Sequence, residues 1–285
     1  MAISEVQRKP AKPFLKWPGG KRWLTSYVAS ALGCHGYRRY FEPFLGGGAV
    51  FFALQPEVAT LSDVNADLIS TYIQVRYRPH DLIRRLKELP VDQATYNDLR
   101  QAEPRNQTER AVRFLYLNRT AFGGIYRLNQ NGGFNVPFGG GQRTPAPLWE
   151  DGLLVNASRS LRSAEICVAD FEDALAGVGP GDLVYCDPTY TVAHNNNGFV
   201  RYNERNFSWG DQRRLAALCH RLVKRRATVI VSNAANDEVL DLYRCPEVHS
   251  VSRNSTVCPR SDKRGIAKEV LLLFRSALAK SAGQI

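Results

Sequence analysis

The stretch FEPFLGGGAVFF, residues 41–52, decides the fold of this 285-residue chain. Its first part favours a strand, which runs into Gly46, Gly47 and Gly48 and then into a segment that favours a helix. Glycines at such a turn permit a tight reversal and let a ligand approach the backbone closely. The stretch therefore predicts the strand, turn and helix unit of an α/β protein that holds a nucleotide-like ligand.

The next predicted strand, VATLSDVN, ends in Asp63. A carboxylate at that place can accept hydrogen bonds from both hydroxyls of a ribose. A dinucleotide, a nucleotide and S-adenosylmethionine each carry a ribose, so these two features leave all three open as ligands. A structural glycine turn followed by a capping aspartate is the alternative that involves no ligand.

The same alternation of strands and helices returns in residues 164–233. A helix is predicted from about Ser208, because Ser208 and Asp211 are spaced as a capping box and leucines then recur at helical spacing. Buried strands are predicted at AEICVADF, GDLVYCDP, ATVIVSN and AKEVLLLF. Strands that alternate with helices predict an α/β fold, a mostly parallel sheet with helices on both faces.

Residues 77–163 differ from the rest of the chain. They are first charged and helical in pattern (HDLIRRLKEL, TERAVRFLYL) and then rich in glycine and asparagine (FGGIYRLNQNGGFNVPFGGGQ). This composition predicts a mainly helical insertion that carries a β-hairpin with loops. We therefore predict one domain from residues 1–76 and 164–285, and a second from residues 77–163.

The charge balance favours a polyanionic partner. Lys and Arg number 38 against 27 Asp and Glu, which gives a net charge of +11 and a pI near 9.5. Neutralised phosphates release condensed counterions, so such an excess suits nucleic acid, although a merely basic protein fits equally well. A hydrophobic content of 44% is enough for a packed core and excludes a disordered composition.

Cysteine usage and hydropathy bear on the compartment. The six cysteines form no CxxC pair, and the histidines lie at no metal-ligand spacing, so we expect reduced thiols and no metal. No apolar run has the length that crosses a bilayer, and the N-terminus MAISEVQRKPAKP is polar. These patterns predict a cytoplasmic protein and argue against a secreted or membrane form.

The N-terminal segment FLKWPGGKRWL invites comparison with a phosphate-binding loop. It fails the pattern, since Leu15 stands where an earlier glycine is needed and Arg22 where Ser or Thr is needed. Lys21 beside two glycines can still pair with a carboxylate, such as that of the methionine part of S-adenosylmethionine. A solvated basic turn is the alternative.

The segment YCDPTY, residues 185–190, follows an apolar run and has the groups that methyl transfer to an exocyclic amine requires. The amine of adenine is a poor nucleophile because its lone pair is delocalised into the ring. Asp187 and the carbonyl of Pro188 could accept the amino hydrogens and direct the lone pair at the methyl group, while Tyr190 stacks on an extruded base. An isolated D-P-x-Y, however, is more often an ordinary turn.

Taken together, five segments resemble one family. FLKWPGGKRWL, FEPFLGGGAVFF, LSDVNADLI, FNVPFG and YCDPTY follow the order and approximate spacing of the Dam-type (class alpha) DNA adenine methyltransferases, over roughly residues 13–275. The resemblance implies a class I S-adenosylmethionine-dependent methyltransferase fold, Rossmann-like, with an inserted target-recognition domain. It also implies transfer of a methyl group from S-adenosyl-L-methionine to the N6 amino group of a flipped-out adenine in a short duplex DNA sequence.

The resemblance also implies residue roles for both ligands. Asp187, Pro188 and Tyr190 fall on the catalytic motif. The cofactor-binding residues implied are Trp17, Lys21, Glu42, Phe44, Gly46, Gly48, Asp63, Asn65, Asp170, Phe171 and Asp187. The DNA-binding residues implied are Lys16, Phe122 as a wedge, Arg127, Asn129 and Asn135 as base readers, Pro137, and Arg260 and Lys263 in a basic loop with Arg253 and Arg264.

Two departures from the family pattern matter. Thr189 stands where a second proline is usual, and it adds a backbone N–H and frees the φ angle. Gly140 and Gly141 follow FNVPFG, where GATC-specific members tend to carry an arginine, so the recognition sequence is open. We expect activity to survive the first change.

The expected protein is a bacterial or phage enzyme that acts on double-stranded DNA as a monomer, with restriction-modification as one setting. Two alternatives stay open. One is methylation of another exocyclic amine, in cytosine or RNA, because the same chemistry serves it. The other is a DNA-binding relative with weak or no catalysis, for which Thr189 would be a sign of decay.

Overall fold

The structure is a computed structural model that describes residues 11–17, 36–129, 132–189, 207–254 and 266–275. The strands among these residues are β1 (Tyr40–Glu42), β2 (Ala59–Asp63), β3 (Ala164–Val168), β4 (Leu183–Cys186), β5 (Thr228–Ala234), β6 (Val248–Asn254) and β7 (Ile266–Phe274). The α-helices are α1 (Ala49–Leu54), α2 (Ala66–Tyr77), α3 (Pro79–Lys87), α4 (Gln93–Gln101), α5 (Gln107–Thr120), α6 (Pro147–Glu150), α7 (Leu153–Ser160), α8 (Phe171–Ala174), α9 (Trp209–Lys224) and α10 (Asp237–Tyr243).

The described strands form one sheet in the order β3-β2-β1-β4-β5-β7-β6. The pairs β2–β3, β1–β4 and β4–β5 are parallel, whereas β7 runs antiparallel to both β5 and β6. The predicted mostly parallel sheet is thus confirmed, with its one reversed strand at AKEVLLLF.

The chain divides into two compact units. The first comprises Met1–Ala31 and Leu45–Val168, and the second comprises Leu32–Phe44 and Ala169–Ile285. The predicted domains, residues 1–76 with 164–285 and residues 77–163, are drawn at other boundaries and stay a prediction.

In the first unit, helix α5 is the best buried element. It begins at Asn106, whose side chain accepts a hydrogen bond from the Glu109 N–H, and its residues from Phe114 to Thr120 are all buried. Such a cap contributes about 1 kcal/mol, and each fully buried large apolar side chain contributes roughly 1.5–3 kcal/mol. Helices α3 and α5 form where HDLIRRLKEL and TERAVRFLYL predict them.

The predicted hairpin after α5 is present only in part. Two isolated antiparallel bridges, Ala121 with Phe138 and Leu128 with Phe134, bring the two arms of the loop together. Between them the backbone turns through Gly123 and Gly124, both at φ 66°, a conformation that interrupts a strand. Because the ladder is broken there, the loop has hairpin connectivity without continuous strands.

In the second unit, the two faces of the strands differ in character. Side chains alternate along a strand, so Phe41, Val184, Cys186, Val229 and Val231 share one face and form a buried apolar cluster with residues of α9 and α10. The opposite face of the same strands carries polar groups. Glu42, Tyr185 and Ser232 lie on this second face beside the buried apolar side chains of Leu183 and Ile230.

Helix α9 packs on the apolar face in the way the sequence predicts. It starts at a capping box in which Ser208 Oγ accepts from the Asp211 N–H and the Asp211 carboxylate accepts from the Ser208 N–H. Leu215, Leu218 and Leu222 are buried along its inner side. The prediction for this helix is confirmed to the residue at its start.

The described thiols are free, with Cys186 and Cys219 buried and Cys167 and Cys245 half-buried. Burial raises the pKa of Cys219 above the range in which a thiol ionises in water. None of the helices in the described residues combines the length and the apolar character needed to cross a membrane.

Candidate active site

The glycine turn of the first unit is held in a left-handed conformation. Gly46 lies at φ 45° and Gly48 at φ 63°, both in the region that favours glycine, and α1 starts directly after Gly48. The Gly46 N–H donates to Asp63 Oδ2 at 3.1 Å, and the Tyr72 hydroxyl donates to the Gly46 carbonyl at 3.1 Å. The turn is therefore tied to the end of β2 and to α2.

Asp63 ends β2 and accepts hydrogen bonds from backbone N–H groups. Besides Gly46, the Asn65 N–H donates to Asp63 Oδ1 at 3.0 Å. Burial raises the pKa of Asp63, and the backbone N–H groups of Asn65, Gly46 and Val64 oppose that rise. A carboxylate has about four acceptor positions, so Asp63 retains capacity for a ribose hydroxyl beside these N–H donors. The helix cap in this loop is Asn65, which accepts from the Leu68 N–H, and Asp63 does not serve as one.

Trp17 packs against the glycine turn. Its ring lies near-parallel to Tyr126 at 5.9 Å and to Phe114 at 6.5 Å between centroids. A Cβ added to Gly46 would lie 2.8 Å from Trp17 Nε1, closer than any real Cβ contact. The absence of a side chain at residue 46 is thus what lets the indole reach the turn.

In the second unit, Asp187 follows β4 directly and Pro188 is buried behind it. Ser232 Oγ, from the neighbouring strand β5, donates to Asp187 Oδ1 at 2.6 Å. Ser232 Oγ also lies 3.1 Å from the Tyr185 hydroxyl. Burial raises the pKa of Tyr185 well above its ordinary value, and the charge of Asp187 raises it further, so this phenol stays protonated and can only donate or accept as a neutral group.

Two aromatic residues named from the sequence meet in this unit. The ring of Phe44 stacks on that of Phe171 at 5.6 Å and 29° between planes, and Phe207 contacts both rings. Asp170 caps α8, with its Oδ1 accepting from the Glu172 N–H at 3.0 Å.

Arg214 contacts both Asp170 and Phe171. Its Nη2 lies 2.7 Å from Asp170 Oδ1, and its guanidinium lies over the Phe171 ring at 4.7 Å. Among the described residues no hydrogen bond is made to Asp170 Oδ2. One carboxylate oxygen of Asp170 is therefore available to an incoming donor.

Glu42 ends β1 on the polar face of the second unit. It is 3% exposed and accepts a hydrogen bond from the Tyr40 hydroxyl at 2.7 Å. Burial raises the pKa of Tyr40 well above its ordinary value, with the charge of Glu42 as the next cause. Glu42 is thus a structural partner of Tyr40, and its predicted contact with the cofactor stays a prediction.

The DNA-binding residues predicted in the first unit lie around the end of α5. Asn118 Oδ1 accepts from the Lys16 N–H at 2.9 Å and Asn118 Nδ2 donates to the Lys16 carbonyl at 2.7 Å. Burial lowers the pKa of Lys16, and the charges of Arg119 and Arg143 lower it further. Lys16 therefore lies near two other cationic side chains, Arg119 and Arg143.

The loop after α5 presents one apolar and several polar side chains. Phe122 is 59% exposed, which is unusual for a phenylalanine. Arg127 Nε donates to Asn135 Oδ1 at 2.8 Å, and Asn129 Oδ1 accepts from the Gly133 N–H at 2.9 Å. The Pro137 carbonyl accepts from the Phe122 N–H at 2.9 Å, so this proline shapes the loop.

Several predicted residues cannot be placed. Lys21, Tyr190, Arg260, Lys263 and Arg264 lie outside the described residues. The backbone of Arg253 lies in β6 rather than in the predicted basic loop, because the strand continues to Asn254.

Two contacts of the site were not foreseen. Tyr72 binds the glycine turn from α2, and Ser232 binds Asp187 from β5. A serine that interrupts the apolar run ATVIVSN was the available signal for Ser232.

Each unit has donor and acceptor groups that suit a part of S-adenosylmethionine. The first unit has the Asp63 carboxylate beside a glycine turn, which suits a ribose diol. The second unit has stacked phenyl rings beside a carboxylate, which suit the face and the amino group of an adenine. The residues present therefore fit the cofactor.

The strand order, with its antiparallel β7 between β5 and β6, defines a class I S-adenosylmethionine-dependent methyltransferase fold. Asp187 and Pro188 follow β4, the position at which the amino-methyltransferases that the sequence resembles carry their catalytic motif. The family model of the D12 class N6 adenine-specific DNA methyltransferases matches residues 17–257, and the chain belongs to this family.

Known proteins of similar sequence agree. The chain is 33% identical over 283 residues to the type II methyltransferase M1.LlaDCHI of Lactococcus lactis subsp. cremoris, covering 95% of this chain and 98% of the relative. It is 34% identical over 274 residues to the DNA adenine methylase of Serratia marcescens, covering 94% and 100%. Among solved structures, the crystal structure of Thermoplasma acidophilum 1320 covers 90% of this chain and 89% of its own at a TM-score of 0.41 and 10% identity, a likeness too weak to support an argument.

The family confirms three predictions made from the sequence. The protein is an enzyme, it methylates adenine in DNA at specific sites, and its methyl donor is S-adenosylmethionine. Within the described residues no three His, Cys, Asp or Glu side chains are grouped so as to hold a metal ion.

Proposed function

We propose that this enzyme methylates the N6 amino group of an adenine that has left the DNA helix, and that Asp187 and Pro188 bind that amino group. The observation that carries the proposal is the position of Asp187. It stands at the carboxyl end of β4, the edge at which open α/β sheets bind ligands, and its carboxylate is fixed by Ser232.

The chemistry requires two acceptors in place. The Asp187 carboxylate and the Pro188 carbonyl would each accept one amino hydrogen, which favours a pyramidal nitrogen with a directed lone pair. S-adenosylmethionine, when bound, supplies an electrophilic methyl group on a sulfonium. The new nitrogen–carbon bond would form as the carbon–sulfur bond breaks, so that the cofactor leaves as the neutral thioether S-adenosylhomocysteine. The methylated nitrogen is then positively charged and loses one proton, and Asp187 is the base proposed to receive it.

Asp63 is proposed to hold the ribose hydroxyls, and Trp17 and Lys21 the methionine part. Gly46 and Gly48 would let the cofactor approach the backbone, with Asn65 fixing the loop by its helix cap.

In the second unit, Phe44 and Phe171 are proposed to pack against the cofactor adenine, and the Oδ2 of Asp170 to accept from its amino group. Glu42, at the end of β1, is also proposed to bind the cofactor. Tyr190 is proposed to stack on the extruded base.

DNA contacts are proposed for the loop after α5 and for Lys16. Phe122 is exposed and apolar, so it suits the space that an extruded base leaves in the helix. Arg127 and Asn135 are joined through Nε and Oδ1, and the outer guanidinium nitrogens of Arg127 still suit the O6 and N7 acceptors of guanine. Asn129 is proposed as a further reader.

Phosphate contacts are proposed for Lys16, Arg260 and Lys263, with Pro137 shaping the loop. The same proposal assigns target recognition to residues 77–163 and catalysis to the rest of the chain. We further propose that one copy acts on duplex DNA in the cytoplasm of a bacterium, with restriction-modification or regulation as its setting.

The test is the pair Asp187→Ala and Asp187→Asn, measured as single-turnover methylation of duplex DNA at saturating cofactor. We expect a loss of at least about 100-fold in rate with an unchanged melting temperature, because a positioned acceptor is removed. Asp173→Asn, an exposed aspartate of the same unit, is the matched control and should keep the wild-type rate. An Asp187→Ala protein with the wild-type rate would contradict the mechanism.

Two companion measurements address the alternatives. Digestion of methylated DNA to nucleosides distinguishes N6-methyladenine from a methylated cytosine. Calorimetric titration with S-adenosylmethionine distinguishes an enzyme from a DNA-binding relative, which would fail to bind the cofactor.

A further inference from the structure

Three polar side chains form a chain of hydrogen bonds on the polar face of the second unit. Ser232 Oγ lies 2.6 Å from Asp187 Oδ1, 3.1 Å from the Tyr185 hydroxyl and 3.4 Å from the Cys186 carbonyl. Tyr185 and Ser232 are each 1% exposed. Most hydroxyls buried to this degree are hydrogen-bonded, and here the hydrogen bonds lead from Tyr185 through Ser232 to Asp187.

The sheet register explains why these residues meet. Strands β4 and β5 are parallel with Tyr185 beside Ile230 and Cys186 beside Val231, so the next pair along is Asp187 beside Ser232. Side chains alternate, and opposed residues share a face, so Tyr185, Asp187 and Ser232 all project to the same side. The contact between Ser232 and Asp187 therefore follows from the register of β4 and β5.

The direction of the hydrogen bonds can be assigned. A serine hydroxyl has one proton, and the 2.6 Å contact to a carboxylate is far shorter than the 3.4 Å contact to the Cys186 carbonyl. With that proton committed to Asp187, the Tyr185 hydroxyl must donate to Ser232 Oγ. Burial and the charges of Asp187, Glu42 and Glu269 raise the pKa of Tyr185, which keeps it a donor.

We propose that Ser232 is a positioning residue for methyl transfer: its hydroxyl, oriented by Tyr185, fixes the rotation of the Asp187 carboxylate. This inference rests on the proposed role of Asp187. With Oδ1 held, the carboxylate cannot rotate about its Cβ–Cγ bond, and the place at which it accepts the amino hydrogen is set before the base arrives.

A second effect of the Ser232 hydroxyl concerns protonation. A donated hydrogen bond favours the charged carboxylate, which is the stronger acceptor for the amino hydrogens and the form that can take up a proton. The other carboxylates that face Tyr185 are Glu42 from β1 and Glu269 from β7, and both would favour protonation of a neighbouring acid. Without the serine donor, Asp187 would protonate more readily, and activity would be lost at a higher pH as the solution is acidified.

The experiment compares Ser232→Ala, Ser232→Thr and Tyr185→Phe in single-turnover methylation across pH. For Ser232→Ala we expect the rate constant to fall roughly 10- to 100-fold at saturating substrates, since hydrogen bonds to charged groups have about this effect. KM for DNA and for the cofactor should change less than about threefold, and the acid limb of the pH–rate profile should move to higher pH. Tyr185→Phe should lose less, roughly 2- to 10-fold, because it acts through Ser232.

Matched controls separate positioning from stability. Ser158→Ala removes a buried serine hydroxyl that donates to the Arg76 carbonyl at 2.8 Å, and Tyr243→Phe removes a buried phenol that donates to Gln212. Both should lower the melting temperature about as much as the site variants and leave the pH–rate profile unchanged. Ser232→Thr keeps the hydroxyl and should restore most of the rate.

The outcomes distinguish this inference from the proposed function. If Asp187→Ala is inactive while Ser232→Ala keeps the wild-type rate and pH profile, Ser232 has no positioning role and the function of Asp187 stands. If Ser232→Ala loses rate only in proportion to folded protein, as the two controls do, the role is structural and the inference is wrong. If Asp187→Ala is active, the proposed function itself fails.

Discussion

Replacing Gly46 by alanine tests the glycine turn. Gly46 lies at φ 45°, where an L-residue is strained by roughly 1–2 kcal/mol. The added Cβ would also lie 2.8 Å from Trp17 Nε1 and 2.9 Å from Trp17 Cδ1, so the indole must move. Overpacking of this kind costs about 1–3 kcal/mol, and the two contributions give a destabilisation of about 2–5 kcal/mol.

The assay for Gly46→Ala is thermal unfolding, followed by titration with S-adenosylmethionine. At about 2–4 °C per kcal/mol, the melting temperature should fall by roughly 4–20 °C. Since Trp17 is stacked between the turn and Tyr126, its displacement should also weaken cofactor binding by about tenfold. A variant that melts like the wild type would refute the packing argument.

Gly140 and Gly141, which lie far from Gly46 in the sequence, supply the controls for this experiment. Gly140 lies at φ 87° with open space around its Cβ position, so Gly140→Ala should cost only the backbone strain of roughly 1–2 kcal/mol. Gly141 has open space and no such φ, so Gly141→Ala should be neutral. If Gly46→Ala and Gly140→Ala lower the melting temperature equally, contact with Trp17 contributes nothing.

Two further predictions concern the pH dependence of stability and the extrusion of the base. The Asp182 side chain is buried, and although burial raises its pKa, hydrogen bonds from Arg39, the Gly179 N–H and Arg38 outweigh that effect and hold the pKa below its ordinary value. Asp182→Asn should therefore cost about 1–2 kcal/mol in urea unfolding at pH 7. This difference should begin to shrink as the pH falls below about 4, the pKa of the unfolded state, and should vanish once the pH is below the depressed pKa of the folded state; a constant difference across pH would contradict the reasoning. Phe122→Ala should leave the melting temperature unchanged, because the side chain is exposed, and should slow methylation of matched duplex about tenfold. On a duplex with a mismatched target adenine, which is easier to extrude, the loss should shrink; an equal loss on both would show that Phe122 is no wedge.

Local patterns predicted the elements of the fold well. The capping box at Ser208 and Asp211 marks the start of α9 because the two hydrogen bonds involve residues three apart. The strand in GDLVYCDP could also be predicted from local sequence, because its run of apolar residues already indicates that it is buried. Such features need no knowledge of the rest of the chain.

The contacts that complete the site are not local, and the sequence alone could not give them. Trp17 was named from a motif, but its stacking on Phe114 and Tyr126 joins residues about a hundred positions apart. Ser232 meets Asp187 because of the β4–β5 register, which is fixed only when the sheet forms. The hairpin was predicted from its glycines and asparagines. Two of these glycines, Gly123 and Gly124, have a positive φ that interrupts the strand between the two isolated bridges.

The pair of hydrogen bonds between Asn118 and the backbone of Lys16 has a consequence for synthesis on the ribosome. The two residues are 102 positions apart, so the segment 11–17 leaves the ribosome long before its partner helix exists. At about 5–20 residues per second, the nascent N-terminus waits roughly 5–20 seconds for α5 to be made. During that interval Phe14 can pack on Phe52 and Tyr72, but Trp17 lacks Phe114 and Tyr126, so a chaperone that binds short apolar segments could bind residues 11–17.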